Sequence, residues 1–162
     1  MTFIYADPKI NDQKQAIMWF KKATEQGDKE SEYPLGLSYL TGIDRAIEVD
    51  KDKAFEIFNK LSEQDFQIAK YSLGKMYENG ETVEVDKDKA FELFQEAANA
   101  GEPHAQYYLG FIYRFAIYYF DGDSPNRYIG SLETAKYWYT KAAEQGNEEA
   151  KQALAELENE GI

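Results

Sequence analysis

The chain has 162 residues, no cysteine and a formal net charge of −12. Acidity of this size disfavours nucleic acid and anionic membrane surfaces as partners, since both need a basic face. The missing cysteines exclude disulfides, thiolate metal sites and cysteine nucleophiles. A hydrophobic share of 43% suffices for the core of one ordinary domain, read as 1–162. Met1–Ile10 lacks the charged start and apolar run of a signal peptide, so a cytoplasmic location is expected.

Residues 1–11 read as an N-terminal arm, in which Phe3, Ile4 and Tyr5 could cover an open end. Helices are predicted over 12–26, 30–41, 50–63, 67–79, 86–99, 103–119, 131–145 and 147–160. They alternate between two kinds. One kind carries Y-P-L-G-L-S-Y at Tyr33–Tyr39, Y-S-L-G-K-M-Y at Tyr71–Tyr77 and Y-Y-L-G-F-I-Y at Tyr107–Tyr113. The other carries I-E-V-D-K-D-K-A-F-E-I-F at Ile47–Phe58 and V-E-V-D-K-D-K-A-F-E-L-F at Val83–Phe94, with weaker copies at Asp12–Phe20 and Ser131–Tyr139. Self-similarity at this period marks stacked helix pairs, each burying its face against its neighbours.

The spacing also writes the helix ends. Asp12, Asp50, Asp86 and Ser131 stand four residues before Ala16, Ala54, Ala90 and Ala135, where each suits an N-cap. Gly27, Gly101 and Gly146 stand where a helix should close, with Asp65 in their place in the second copy. Gly36, Gly74 and Gly110 fall in mid-helix at the cost of helix propensity, which implies a neighbouring helix too close for a side chain. Ala69, Leu73, Met76 and Tyr77 form one core face, and Ala90, Phe91, Phe94, Ala97 and Ala98 another. The last helix has a narrow apolar stripe and a charged outer face, as a terminal cap should.

These units resemble the Sel-one-like repeat family, a relative of the tetratricopeptide repeats. A-K-Y-S-L-G-K-M-Y-E-N-G at Ala69–Gly80 matches the first half of the family pattern, and T-A-K-Y-W-Y-T-K-A-A-E-Q-G at Thr134–Gly146 the second. The resemblance covers residues 12–155. It implies an all-α fold, a curved α/α solenoid of stacked antiparallel helix pairs with three and a half to four repeats. It also implies scaffolding or adaptor binding of other proteins and supplies no catalytic residue. A cysteine-rich branch of the family is linked to β-lactam binding; this chain, without cysteine, departs from it.

The chain departs from the pattern once more, after Tyr113. Gly110 and Ala135 are 25 residues apart, against 16 for Gly74 and Ala90, which places an insertion after the helix. Aromatic residues crowd its approach. Leu109, Ile112, Tyr113 and Ala116 should face the core, leaving Tyr108, Phe111, Phe115 and Tyr118 on a second face with Arg114 beside them. The equivalents one repeat earlier are polar: Ser72, Lys75 and Asn79. A face that turns from polar to aromatic reads as a protein-binding patch. The competing reading buries these rings under the insertion.

Other chemistry is thinly represented. His104 is the sole histidine, in E-P-H-A at a helix start, and reads as structural rather than as a ligand or base. The D-K-D-K runs at Asp50–Lys53 and Asp86–Lys89 lack a calcium loop's central glycine and terminal glutamate, and D-G-D-S-P-N at Asp121–Asn126 reads first as a turn. No G-x-S-x-G or H-E-x-x-H occurs, so a hydrolase-type enzyme is the weakest reading. The expectation is a non-enzymatic interaction module with no catalytic, metal or cofactor residue. It would bind a protein or peptide, of basic character given the charge, on its concave surface. The narrower alternative is an immunity or inhibitor protein against a basic bacterial toxin. The unpartnered N-terminal helix leaves room for a weak homodimer.

Overall fold

A computed structural model describes residues 8–43, 47–115 and 130–159. The chain is an all-α helical-repeat protein, with eight helices and no strand among the described residues. They are α1 (Pro8–Glu25), α2 (Lys29–Thr41), α3 (Lys51–Glu63), α4 (Gln67–Asn79), α5 (Lys87–Asn99), α6 (Pro103–Arg114), α7 (Leu132–Glu144) and α8 (Glu148–Asn159).

Three of the four expected N-caps are in place. Asp50 accepts from the Lys53 amide at 3.0 Å, Asp86 from Lys89 at 2.8 Å and Ser131 from Thr134 at 3.1 Å. Each satisfies an amide that the first helical turn leaves without a partner. The fourth is a correction. Asp12 lies inside α1, which starts at Pro8, so the arm of residues 1–11 is cut short at its C-terminal side. Proline at a first helical position loses no needed donor and presets φ, which accounts for the earlier start. At the opposite ends, Asp65 closes α3 with φ 59°, the left-handed conformation that glycine takes in the other copies. Aspartate is among the few side chains that tolerate it.

The mid-helix glycines sit where expected. A Cβ on Gly36 would stand 2.7 Å from Phe58, one on Gly74 2.6 Å from Phe94, and one on Gly110 2.5 Å from Tyr139. In each pair an aromatic ring of the second helix kind stands against the glycine backbone of the first, and a methyl group would have no room unless the ring shifted.

Contacts group the chain into two compact units, residues 1–69 and 70–162. In the first, Ile17, Leu35 and Ile47 are buried, and Phe20, Tyr39, Ile43 and Ile57 pack around them. Lys60 reaches across to the buried Glu32 at 2.7 Å, which keeps that carboxylate paired. Met18 and Trp19 on α1 are exposed, at 70% and 66%. In the second unit Phe91, Phe94, Ala97, Ala98, Leu109 and Ile112 form one core, and Ala135, Tyr139, Ala142, Ala150, Ala153 and Leu157 form another. Burying each large side chain of this kind contributes about 1.5–3 kcal/mol.

α6 stops at Arg114, earlier than the predicted 119, and Phe115 is its C-cap, donating its amide to the Phe111 carbonyl. Ala116, Tyr118 and the inserted segment through residue 129 lie outside the described residues, as do Phe3, Ile4 and Tyr5.

Candidate functional site

The register of α6 fixes what it displays. Leu109 and Ile112 are fully buried, and Tyr113 packs against the same core. One step around the helix, Tyr108, Phe111 and Phe115 make a continuous row. The Tyr108 and Phe111 rings stack at 5.8 Å with 12° between their planes, and Phe111 and Phe115 follow at 4.9 Å. Phe111 is 39% exposed and stands at the centre of the row.

The row divides between two environments. Tyr108 turns into the groove between α4 and α6, where its ring lies 4.8 Å from Phe94. Its hydroxyl donates to Glu78 at 2.6 Å and accepts from the Lys75 ammonium at 2.9 Å. That ammonium is 4.1 Å from the ring centroid and is also ion-paired with Glu78. Tyr108 is therefore held by contacts within its own fold, at one end of the aromatic row.

Phe111, Arg114 and Phe115 instead line a cleft of about 280 Å³ between α6 and α8. Tyr107 completes the α6 wall, Tyr139 of α7 forms the floor, and α8 supplies Glu149, Gln152, Ala153 and Glu156. The Arg114 side chain is only 9% exposed and donates to Glu156 at 3.0 Å. Its guanidinium lies 5.1 Å from the Phe115 ring. Burial pushes the Tyr139 phenol up to about 12, with Arg114 pulling in the opposite direction. The second oxygen of Glu156 accepts from Gln152 at 3.2 Å. The structure thus joins three of the five expected site residues, sends Tyr108 elsewhere, and leaves Tyr118 outside the described residues.

The repeat explains why a cleft opens here. Gly74 and Gly110 are 36 residues apart, so Lys75, Glu78 and Asn79 correspond to Phe111, Arg114 and Phe115. Ala105 and Ala150 are 45 apart, so Tyr108 corresponds to Ala153. The α4–α6 groove is filled by Tyr108; at the matching place the α6–α8 cleft has a methyl group. The residues of α8 were not among those expected from sequence, and this change from tyrosine to alanine at a fixed offset is the signal that points to them.

His104 lies 2.8 Å from Glu102, which caps α6 by accepting from the Ala105 amide at 2.6 Å. Asp50 and Asp86 are spent on caps. Among the described residues no three His, Asp or Glu side chains gather as a metal site would require. Nor is any described helix long and apolar enough to cross a membrane.

The Sel1 repeat model matches residues 7–28, 29–66, 67–102 and 103–147. Among solved structures, a Sel1 repeat protein from Oxalobacter formigenes is 34% identical, with a TM-score of 0.64 over 86% of this chain and 96% of that one. The cysteine rich protein B of Helicobacter pylori is 25% identical, with a TM-score of 0.60 over 90% of this chain and 96% of that one. The immunity protein Pa5087 from Pseudomonas aeruginosa is 21% identical, with a TM-score of 0.60 over 86% of this chain and 55% of its own length, a likeness of fold alone. No curated protein matches the sequence.

Proposed function

For a chain that belongs to the Sel1 repeat family, we propose a non-enzymatic interaction module that binds a protein or peptide through the aromatic cleft between α6 and α8. One observation carries the reading: Phe111 is a large apolar side chain left 39% exposed in a cleft it lines with a buried arginine, at a place where the preceding repeat is closed. An exposed aromatic beside a buried, paired arginine is the composition of an interface anchor. The fold that stacks these helices uses its repeated residues for packing, which leaves the non-repeated ones to set the partner.

The test is affinity capture from the source cell's lysate with wild type and with Phe111→Ser/Phe115→Ser, circular dichroism being run on both. The expected result is a partner captured by wild type and lost by a still-folded double variant. Equal capture by both would overturn the assignment of the cleft. The immunity reading is the narrower form of this proposal. The observation that favours it is the net charge of −12, which would steer a basic toxin toward the surface. A toxin gene adjacent to this one, whose product the chain neutralises, would establish it.

A further inference from the structure

We propose that the α6–α8 cleft takes a single basic side chain, lysine or arginine, from its partner. Resting on the protein-binding reading above, this names the chemistry of the contact. The cleft volume of about 280 Å³ suits one long side chain rather than a helix. It falls just under the roughly 300–1,000 Å³ of small-molecule pockets.

Charge decides between an acid and a base. Among the described residues of the cleft the one cation is Arg114, already neutralised by Glu156, and Gln152 holds the other Glu156 oxygen. Glu149, on the rim, has no hydrogen bond or ion pair among the described residues. An entering carboxylate would have to displace Glu156 from a buried arginine while facing Glu149. An entering ammonium or guanidinium meets Glu149 directly and lays its stem along Phe111. The molecule already contains this arrangement one repeat earlier. There its own Lys75 sits over the Tyr108 ring at 4.1 Å, paired with Glu78. In the cleft Phe111 stands where Lys75 was and Ala153 where Tyr108 was, so the space of one ring is open beside Phe111 and the cation is left for the partner to supply. A net charge of −12 steers such a partner toward the surface.

The probes are three capped heptapeptides of glycine and serine whose central residue is arginine, glutamate or norleucine. Each is titrated against the full chain while the Ala153 methyl and the Phe111 ring are followed by NMR. The arginine peptide should shift both signals, the other two should not, and added salt should weaken the effect. Glu149→Gln should weaken binding roughly twofold to fivefold, the scale of one exposed ion pair. Ala153→Tyr should abolish it. Preference for the glutamate or norleucine peptide would overturn the proposal, as would arginine binding that neither variant changes. Glu149 is an exposed rim residue, so its variant keeps the test decisive even if Ala153→Tyr fails to fold. If no peptide moves the cleft signals while Phe111→Ser/Phe115→Ser still loses its captured partner, the basic side chain is wrong and the protein-binding reading stands. Failure of both discards both.

Discussion

The groove between α4 and α6 and the cleft between α6 and α8 have the same plan and opposite contents. Both have an aromatic floor pressed against a glycine: Phe94 under Gly74, Tyr139 under Gly110. Above that floor the first is filled by Tyr108, Lys75 and Glu78, all bonded to one another. The second holds a buried Arg114 whose partner Glu156 is half-exposed, and an alanine stands where the tyrosine was. A repeat therefore separates two tasks. Its recurring residues set how closely helices approach, and its varying residues decide whether the space above is closed or open.

The largest effects should come from the floors, which the two sites share. Phe94→Ala and Tyr139→Ala should each cost about 3–5 kcal/mol by denaturant unfolding, because each empties a fully enclosed position. A much smaller loss for Tyr139→Ala would break the equivalence of the two sites. Next come the glycines. Gly74→Ala and Gly110→Ala should each destabilise by about 1–3 kcal/mol through overpacking, outweighing the roughly 1 kcal/mol that alanine returns in helix propensity. A net gain in melting temperature would show that the rings yield.

Smaller effects sharpen the contrast above the floors. Tyr108→Phe removes a hydroxyl bonded to both Glu78 and Lys75 and should cost about 1 kcal/mol, without touching ligand binding in the cleft. Loss of binding in that variant would join the two sites functionally. The last effect is absent at neutral pH. Burial raises the Tyr139 phenol to about 12 from an ordinary 10. The unfolded chain thus releases this proton first, and the stability the phenol contributes is intact below pH 10 and lost as pH rises toward 12. Ultraviolet titration of wild type against Tyr139→Phe should show one tyrosine ionising late, and Arg114→Met should delay it further.

The sequence was legible wherever a residue recurs. Gly74 and Gly110 announced a close approach because nothing else explains glycine in mid-helix, and the aspartates before each D-K-A-F run announced a helix start. Asp12 misled because it copies that pattern, while Pro8 upstream already offered a better first position. Tyr108 was legible only in part. Helical spacing assigns it to the same face as Phe111, but which groove claims a side chain depends on what waits there, and Lys75 and Glu78 lie 33 and 30 residues away in sequence. The α8 half of the cleft was hidden because a terminal helix with a charged face is unremarkable until its Ala153 is set against Tyr108.

The two tryptophans fall one to each compact unit. Trp19 is 66% exposed on α1, whereas Trp138 packs against the α5–α6 core. Their emission should differ accordingly, red-shifted and open to acrylamide quenching for Trp19, blue-shifted and shielded for Trp138. A single fluorescence denaturation curve thus carries a separate reporter for each half of the chain, and coincident midpoints would mean that both halves melt as one cooperative body.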